Sequence, residues 1–570
     1  MSRDYLCLIA KSKGVDPALR ATIVRRMTAK GLSVAFERAR VIVFTSPTLP
    51  FHLLIDNSGV ALGDLFERDS ASPFVGPVKA KDATTLISRY WGSYVAIFDA
   101  TPEPLVLRDP GGGLACYETS TDQAHIYSSR LDLLTAASEL RPSIHWCQLR
   151  HLLHYPGSRT EATGLNKVSE LLPGCVALHD NLTPSRHLFW SPWAFTRPSP
   201  ARTANALKVE IRRAVELSVM AWSHVSPDIL MELSGGLDSS IVATCLTGRM
   251  PRPHCANLVT NDGGADERRY AQPVADALGV PLSFLPLTAE PVELPPTLSL
   301  RLPVPGVGVL QSAVDVLLAA EARRVGATAF FSGGGGDNVF CFLHTAVPAT
   351  DVLHTFGPGP LFHRTLQNLS RLHECSYWTA LRLSLRKYVK GPRTVPVSSA
   401  RFLNPDEVPA FQPHPWMAAP KGTLPGQYEH VAALVRTQNL YDLQERAQIG
   451  PMRYPLLSQP VVEACLAVPS WMWIEGGRNR SLARDAFSDR LPPLVAGRRT
   501  KGEFTGFCGE VYEAHRAFLR HYLLGGLLAE HRVLDRQAVE TYLSTPTPPR
   551  DIGFCALLDL AGVETWCRQW

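Results

Sequence analysis

The chain of 570 residues lacks a large charge of either sign: 57 Lys and Arg stand against 52 Asp and Glu, a formal balance of +5. Apart from Arg498, Arg499 and Lys501 the cations are scattered, so the sequence has no basic stripe of the kind that tracks a nucleic-acid backbone. Long apolar runs are missing too. Nothing approaches the roughly 20 apolar residues that a membrane-crossing helix needs, and the first run, Tyr5 to Ala10, is too short for a secretory signal. Twelve cysteines occur without a C-x-x-C pair or a Cys/His zinc spacing, which suits free thiols in a reducing compartment. These absences predict a cytoplasmic protein that has neither nucleic acid nor membrane as partner. The length suits two domains better than one.

The densest information lies in Asp228 to Ser240, D-I-L-M-E-L-S-G-G-L-D-S-S. The apolar run Ile229 to Leu233 is short enough for a buried parallel strand, and it breaks at Ser234, Gly235 and Gly236 before a helical segment, Ser239 to Leu246. A strand, a tight turn and a helix start present unpaired N–H groups and the positive end of the helix dipole. Two adjacent glycines let a phosphate approach the main chain. No G-x-x-x-x-G-K followed by Ser or Thr occurs, and Asp238 stands where a phosphate-binding lysine would follow the glycines. A carboxylate beside polyphosphate requires a hard cation between them, which makes Asp238 the first magnesium ligand. S-G-G-L-D-S-S resembles the pyrophosphate loop of the ATP pyrophosphatases, which cleave ATP between the α and β phosphates and transfer AMP. The resemblance implies ATP and Mg2+ as cofactors, with Leu233, Ser234, Gly235, Gly236, Asp238, Ser239 and Leu258 around the nucleotide.

From Tyr5 to Ser129 the apolar runs are short and separated by turn residues, predicting strands at Tyr5–Ala10, Val41–Phe44, His52–Ile55, Tyr94–Phe98, Leu105–Leu107 and His125–Tyr127. Within and beyond this region stand W-G-S-Y-V-A-I-F-D (Trp91 to Asp99), L-R-D-P-G-G-G (Leu107 to Gly113) and T-G-L-N-K-V-S-E-L-L-P-G (Thr163 to Gly174). In order and spacing they are similar to the amidotransferase domain of asparagine synthetases. The resemblance implies an α/β protein with a strand-rich, class II glutamine-amidotransferase-like (Ntn-type αββα) domain over residues 1–197. An asparagine-synthetase-like ATP-pyrophosphatase domain, a parallel sheet with extra helices, would then cover 201–570, with the Pro-rich joint Arg197 to Pro200 between them. A working glutaminase of this type exposes an N-terminal cysteine whose own α-amine is the base for its thiol. Here position 2 is Ser2, followed by Arg3, and Cys7 lies inside an apolar run. D-N-S-G-V, Asp56 to Val60, stands in place of the Asn-Gly-Glu glutamine-binding stretch. A retired scaffold without glutaminase activity is the expectation.

Past an amphipathic helix with Leu207, Ile211 and Val215 on one face, strands and helices alternate. Strands are predicted at Cys255–Thr260, Pro281–Leu287 and Thr328–Phe331, helices at Glu267–Leu278 and Gln311–Arg324. Such a sheet binds ligands beyond the carboxyl ends of its strands, where the Ser234 loop lies. A second glycine cluster at the same edge, S-G-G-G-G-D-N-V-F (Ser332 to Phe340), resembles the S-G-E-G-A-D-E-L-F motif of asparagine synthetases. The match implies nucleotide contacts at Ser332 and Gly333, and in Asp337 a second metal ligand and catalytic partner of Asp238. Gly334 replaces the glutamate of asparagine synthetases and the tyrosine of β-lactam synthetases. The run Ala265 to Ala271, A-D-E-R-R-Y-A, recurs in the family as a helix start near the nucleotide. Residues 340–440 carry no motif, and their histidines are isolated.

Three C-terminal stretches, L-S-Q-P-V-V-E (Leu457 to Glu463), G-R-N-R (Gly477 to Arg480) and R-R-T-K-G-E-F (Arg498 to Phe504), look like the lasso peptide macrolactam synthetases. Ser458 stands where asparagine synthetases carry an acid. The resemblance implies an AMP- and pyrophosphate-forming carbon–nitrogen ligase that closes a ring between the N-terminal amine and an Asp or Glu side chain of a leader-free core peptide. Lys501 would act as the catalytic cation, and a precursor peptide and the leader peptidase of the same pathway would be the partners. The competing readings are an asparagine synthetase or β-lactam synthetase acting on a small substrate, a tRNA-modifying pyrophosphatase, and a non-catalytic nucleotide-binding scaffold.

Overall fold

The computed structural model describes residues 3–99, 103–179, 183–196, 202–260, 266–306, 308–392, 394–442, 445–499, 502–546 and 550–570. Twelve strands build two antiparallel six-stranded sheets. They are β1 (Tyr5–Ala10), β2 (Ser33–Glu37), β3 (Val41–Thr45), β4 (Phe51–Leu53), β5 (Gly59–Glu67), β6 (Tyr90–Phe98), β7 (Leu105–Arg108), β8 (Tyr117–Ser120), β9 (Ala124–Ser128), β10 (Ser169–Glu170), β11 (Cys175–Leu178) and β12 (Ser185–Leu188). The sheets run β10-β8-β9-β1-β3-β2 and β12-β11-β7-β6-β5-β4. Side chains alternate across a strand, and β1 shows the consequence. Tyr5, Cys7 and Ile9 enter the core shared with Val60, Leu62, Val95 and Ile97 of the second sheet. Leu6 and Leu8 point the other way, to Ile23 and Met27 of the helix Pro17–Ala29. The strand expected at His52–Ile55 stops at Leu53, and Ile55–Asn57 is a short 3-10 turn in which Asp56 takes φ 60°.

The outer face of the second sheet is buried against the rest of the chain. Phe66 and Trp91 pack edge-on to Trp222 of the helix Ala204–His224, within one core that continues to Leu457 and Val461. Beyond that helix lies a five-stranded parallel sheet of order β15-β14-β13-β16-β17, formed by β13 (Ile229–Glu232), β14 (His254–Val259), β15 (Leu282–Pro286), β16 (Ala329–Phe331) and β17 (Met452–Arg453). Helices cover both faces. Ile229 and Met231 meet Leu207, Ile211 and Ile241 on one side, while Leu230 meets Leu318, Val511 and Leu557 on the other. Among the described residues no helix is long and apolar enough to cross a membrane. All twelve cysteines are unbridged.

Candidate functional site

The three amidotransferase-like stretches meet around Arg108 and Asp109. Arg108 is 4% exposed and donates to Glu170, to the Leu171 and Leu114 carbonyls and to the Gly112 carbonyl. Asp109 accepts from the Tyr94 and Gly112 amides at 3.0 Å each, and burial pushes its carboxyl up to about 7. These contacts are structural. Cys7 is fully enclosed in β1, and burial raises its thiol well above the ordinary range, so it presents no thiolate. Ser2 lies outside the described residues.

The first glycine loop follows β13. Leu233 extends the strand by donating to the Ala256 carbonyl, and the loop then enters the helix Leu237–Cys245, whose N-cap is Gly236 and whose first turn carries Asp238. Gly235 has φ 66°, and a Cβ there would lie 2.5 Å from the Tyr270 and Ala271 backbone, so only glycine fits. The hydroxyls of Ser234 and Ser239 lie 3.0 Å apart, and Ser234 accepts from the Gly236 amide. Asn257, buried beside the loop in β14, donates to the Leu233 carbonyl at 2.8 Å. Leu258 follows it, half-buried. Helix-start amides and a bare glycine turn are the backbone needs of a polyphosphate site.

The second loop leaves β16 and packs directly on the first. A Cβ on Gly333 would come within 2.4 Å of the Ser239 amide nitrogen, and one on Gly336 within 2.5 Å of the Asp238 side chain. Ser332 accepts from the Gly334 amide. This close approach brings together the two carboxylates that the sequence paired. Asp238 and Asp337 both accept from Nη1 of Arg480, at 2.7 and 2.5 Å. Arg480 is 9% exposed, adopts φ 55°, and lays its guanidinium 5.1 Å from the Phe342 ring. Two carboxylates converging on one cationic nitrogen form a donor set that fits magnesium, with phosphate oxygens and water completing its shell. Among the described residues no group of three or more His, Cys, Asp or Glu forms a metal cluster.

In the sequence Arg480 stands out only as the last residue of G-R-N-R. Its neighbour Arg484 donates to the Asn479, Ala496 and Arg498 carbonyls, tying the Arg480 turn to the segment ahead of Lys501. Arg498 pairs with Glu267 at 2.7 Å and stacks 4.0 Å from the Tyr270 ring, and the Gly502 amide also donates to Glu267. Lys501 lies outside the described residues. Glu267, from the A-D-E-R-R-Y-A run, therefore anchors both flanks of the stretch that carries it. Asp266 is spent on Arg268.

The two departures from the family motifs are filled from within. The Tyr454 ring, from just past β17, stands over Gly334, 2.7 Å from where a Cβ would be. Its hydroxyl donates to the Leu440 carbonyl at 2.8 Å, and burial raises it well above the ordinary range. Ser458 accepts from the Trp222 indole at 2.9 Å.

A parallel sheet with two glycine turns and an aspartate pair at its carboxyl edge defines a nucleotide-dependent enzyme of the ATP-pyrophosphatase type. The asparagine synthase family model matches residues 210–568, and the chain belongs to that family. It is thereby placed among ATP-dependent amide ligases. No curated protein matches the chain. Matching solved structures include a glutamine phosphoribosylpyrophosphate amidotransferase from B. subtilis complexed with ADP and GMP, at 11% identity and TM-score 0.20, covering 58% of this chain and 81% of that one. A structure described as the allosteric regulatory enzyme of purine biosynthesis matches at 11% identity and TM-score 0.21, covering 50% and 81%.

Proposed function

We propose that the protein is a lasso peptide cyclase, an AMP- and pyrophosphate-forming ligase. It would activate an Asp or Glu side chain of a leader-free core peptide and join it to the peptide's N-terminal amine. The observation that carries the ligase chemistry is the convergence of Asp238 and Asp337 on one cation between two glycine turns. A peptide acceptor is supported by the L-S-Q-P-V-V-E, G-R-N-R and R-R-T-K-G-E-F wording, and by Tyr454 and Trp222 occupying the surroundings of Gly334 and Ser458.

A carboxylate repels an approaching amine and would have to expel oxide, so it must first be activated. Its oxygen attacks the α-phosphorus of ATP, and the bond to the departing pyrophosphate breaks. The free amine then attacks the acyl carbon, AMP leaves with the electrons of the broken C–O bond, and the amine loses its proton. The turn amides of Gly235, Leu237 and Asp238 would donate to phosphate oxygens, in a loop held by Ser234 and Ser239. Asp238 and Asp337 would hold magnesium, which when bound neutralises charge on the pyrophosphate. Arg480 adds a second cation at the same edge. Lys501, on the segment anchored by Glu267, would neutralise charge on the departing phosphate and the tetrahedral oxyanion. The reading names two partners, a precursor peptide and a peptidase that removes its leader.

Pyrophosphate release from ATP and magnesium, with a leader-free lasso-type core peptide, tests this. The expected result is release that needs the ring-position carboxylate, a product lighter by one water, and a loss of at least about 10²-fold in Asp238→Ala. Release only with aspartate plus ammonia or another small acid would keep the ligase and overturn the peptide. No release with any acid would favour a nucleotide-binding scaffold.

A further inference from the structure

The segment without motifs, residues 340–440, forms most of the wall of a cavity of about 1170 Å³, to which Tyr155 to Ser158 also contribute. That exceeds the upper end of the range for drug-sized ligands, about 1,000 Å³, and far exceeds what one amino acid fills. Two helices, Tyr377–Lys390 and Pro425–Arg436, form its sides, and Phe342 to Ala346, just past the second glycine loop, form the end nearest the aspartate pair. Its walls are apolar, among them Phe342, Leu383, Phe411, Met417, Tyr428 and Val435.

Its charges are one-sided. Arg386, Lys387, Lys390 and Arg436 line it, against one acid, Glu429. Glu429 is already committed to Lys387 at 2.6 Å and to the Thr345 hydroxyl at 2.6 Å. Arg386, Lys390 and Arg436 are exposed and have no ion-pair partner among the described residues. Unpaired cations over an apolar floor suit a ligand that brings apolar side chains and its own carboxylates. The chamber is one side chain from the reacting edge. Phe342 lines it, stacks under Arg480, and donates its amide to the Asp337 carbonyl at 2.8 Å. Asn338 in turn holds the Ala433 carbonyl of the chamber wall.

Resting on the ligase reading above, we infer that this chamber is the acceptor-peptide site: it holds a polypeptide stretch with apolar side chains, oriented by its carboxylates on Arg386, Lys390 and Arg436. The peptide enters from this side of the Asp238–Asp337 edge, past Tyr155 to Ser158 of the first domain, which also line the chamber.

The test replaces the three cations together, Arg386→Gln, Lys390→Gln and Arg436→Gln, at exposed positions where folding is unaffected, with thermal unfolding as the control. Two readouts are taken: KM for the core peptide in the pyrophosphate assay, and fluorescence anisotropy of the same peptide labelled with fluorescein. Loss of three exposed charge contacts raises the peptide KM and Kd by about tenfold or more and leaves the ATP KM unchanged. Added salt weakens wild-type binding and barely changes the variant. If the wild type turns over no peptide the ligase reading fails, and anisotropy still judges the chamber. Equal affinity in wild type and variant, no binding to either, or equal binding of a peptide with its carboxyls amidated overturns the inference.

Discussion

Two cavities of the described residues have their charges arranged in opposite ways. The smaller, about 630 Å³, lies between the second antiparallel sheet and the β17 region and is crowded with arginines and acids. Apart from Arg301, which lies 5.3 Å from the Trp570 ring, the charges there answer one another. Arg3 and Arg453 both donate to Asp64, Arg159 bridges Glu170 and Asp442, and Arg108 also takes Glu170. In the larger chamber three cations face open space unanswered. Charges that pair internally and are buried hold parts of a protein together, whereas charges left unpaired around a concavity have a ligand as their counterpart. The smaller cavity is a seam that joins the two halves of the chain, and the larger is a binding surface.

The largest effect is expected at the seam. Asp64 is 3% exposed and Arg453 5%, and Arg453 stacks 4.4 Å from the Trp222 ring. Burial opposes the charge on Asp64, but Arg453 and Arg3 outweigh it and hold the carboxyl down at about 2. Burial lowers Arg453 to about 10, which leaves it cationic at neutral pH. Asp64→Ala strands that cation and should cost about 3–5 kcal/mol in urea unfolding. The native carboxyl is depressed, so its contribution is complete above the unfolded value of about 4. It is lost as pH falls toward 2. The gap between wild type and Asp64→Ala should therefore narrow over that window, and a gap that is flat with pH would show Asp64 to be uncharged in the seam.

How far these features could be read in advance depends on how local they are. The loop at Ser234 was legible because the strand, the glycines and Asp238 are contiguous, and Asp337 because its own strand and turn surround it. The strand β5 escaped notice because Gly63 and Asp64 interrupt its alternation, yet it pairs with β6 over its whole length from Gly59 to Glu67. The strand β17 is two residues long and joins β16 across more than a hundred residues of helix, beyond any periodicity. Arg480 was hidden for the same reason: it meets Asp238 from 242 positions away. The chamber has no sequence signature at all, since its walls come from the motif-free stretch and from Tyr155 to Ser158, far apart along the chain.

At the reacting edge itself a paired cation has a different meaning, because its partners are also the expected metal ligands. Removing it in Arg480→Ala takes from Asp238 and Asp337 the cation that they share. The metal-free protein should lose about 1.5–3 kcal/mol, the worth of hydrogen bonds between charged groups. Magnesium without nucleotide should restore much of that loss, by occupying the place between the carboxylates. Thermal unfolding with and without magnesium measures both effects. A variant as stable as wild type, or one that magnesium does not stabilise, would break the link between the arginine and a metal position.

A prediction of opposite sign concerns the frame of the chamber. Asp351, in the helix Val347–Phe356, accepts from the Gly426 amide at 2.9 Å and from the Ser470 hydroxyl at 2.6 Å. It thereby caps the helix Pro425–Arg436 that forms one chamber wall. Among the described residues no cation pairs with it, and burial pushes its carboxyl up to about 7. A native value raised above the unfolded one means that the folded state holds the proton more tightly, so stability falls as pH rises from about 4 to about 7. This is the reverse of Asp64. Asp351→Asn keeps an acceptor for Gly426 and removes the ionisation. It should be more stable than wild type by up to about 4 kcal/mol at pH 8 and indistinguishable from it near pH 4. A variant less stable than wild type at pH 8 would show that the ionised carboxylate, and not merely an oxygen acceptor, holds the chamber wall.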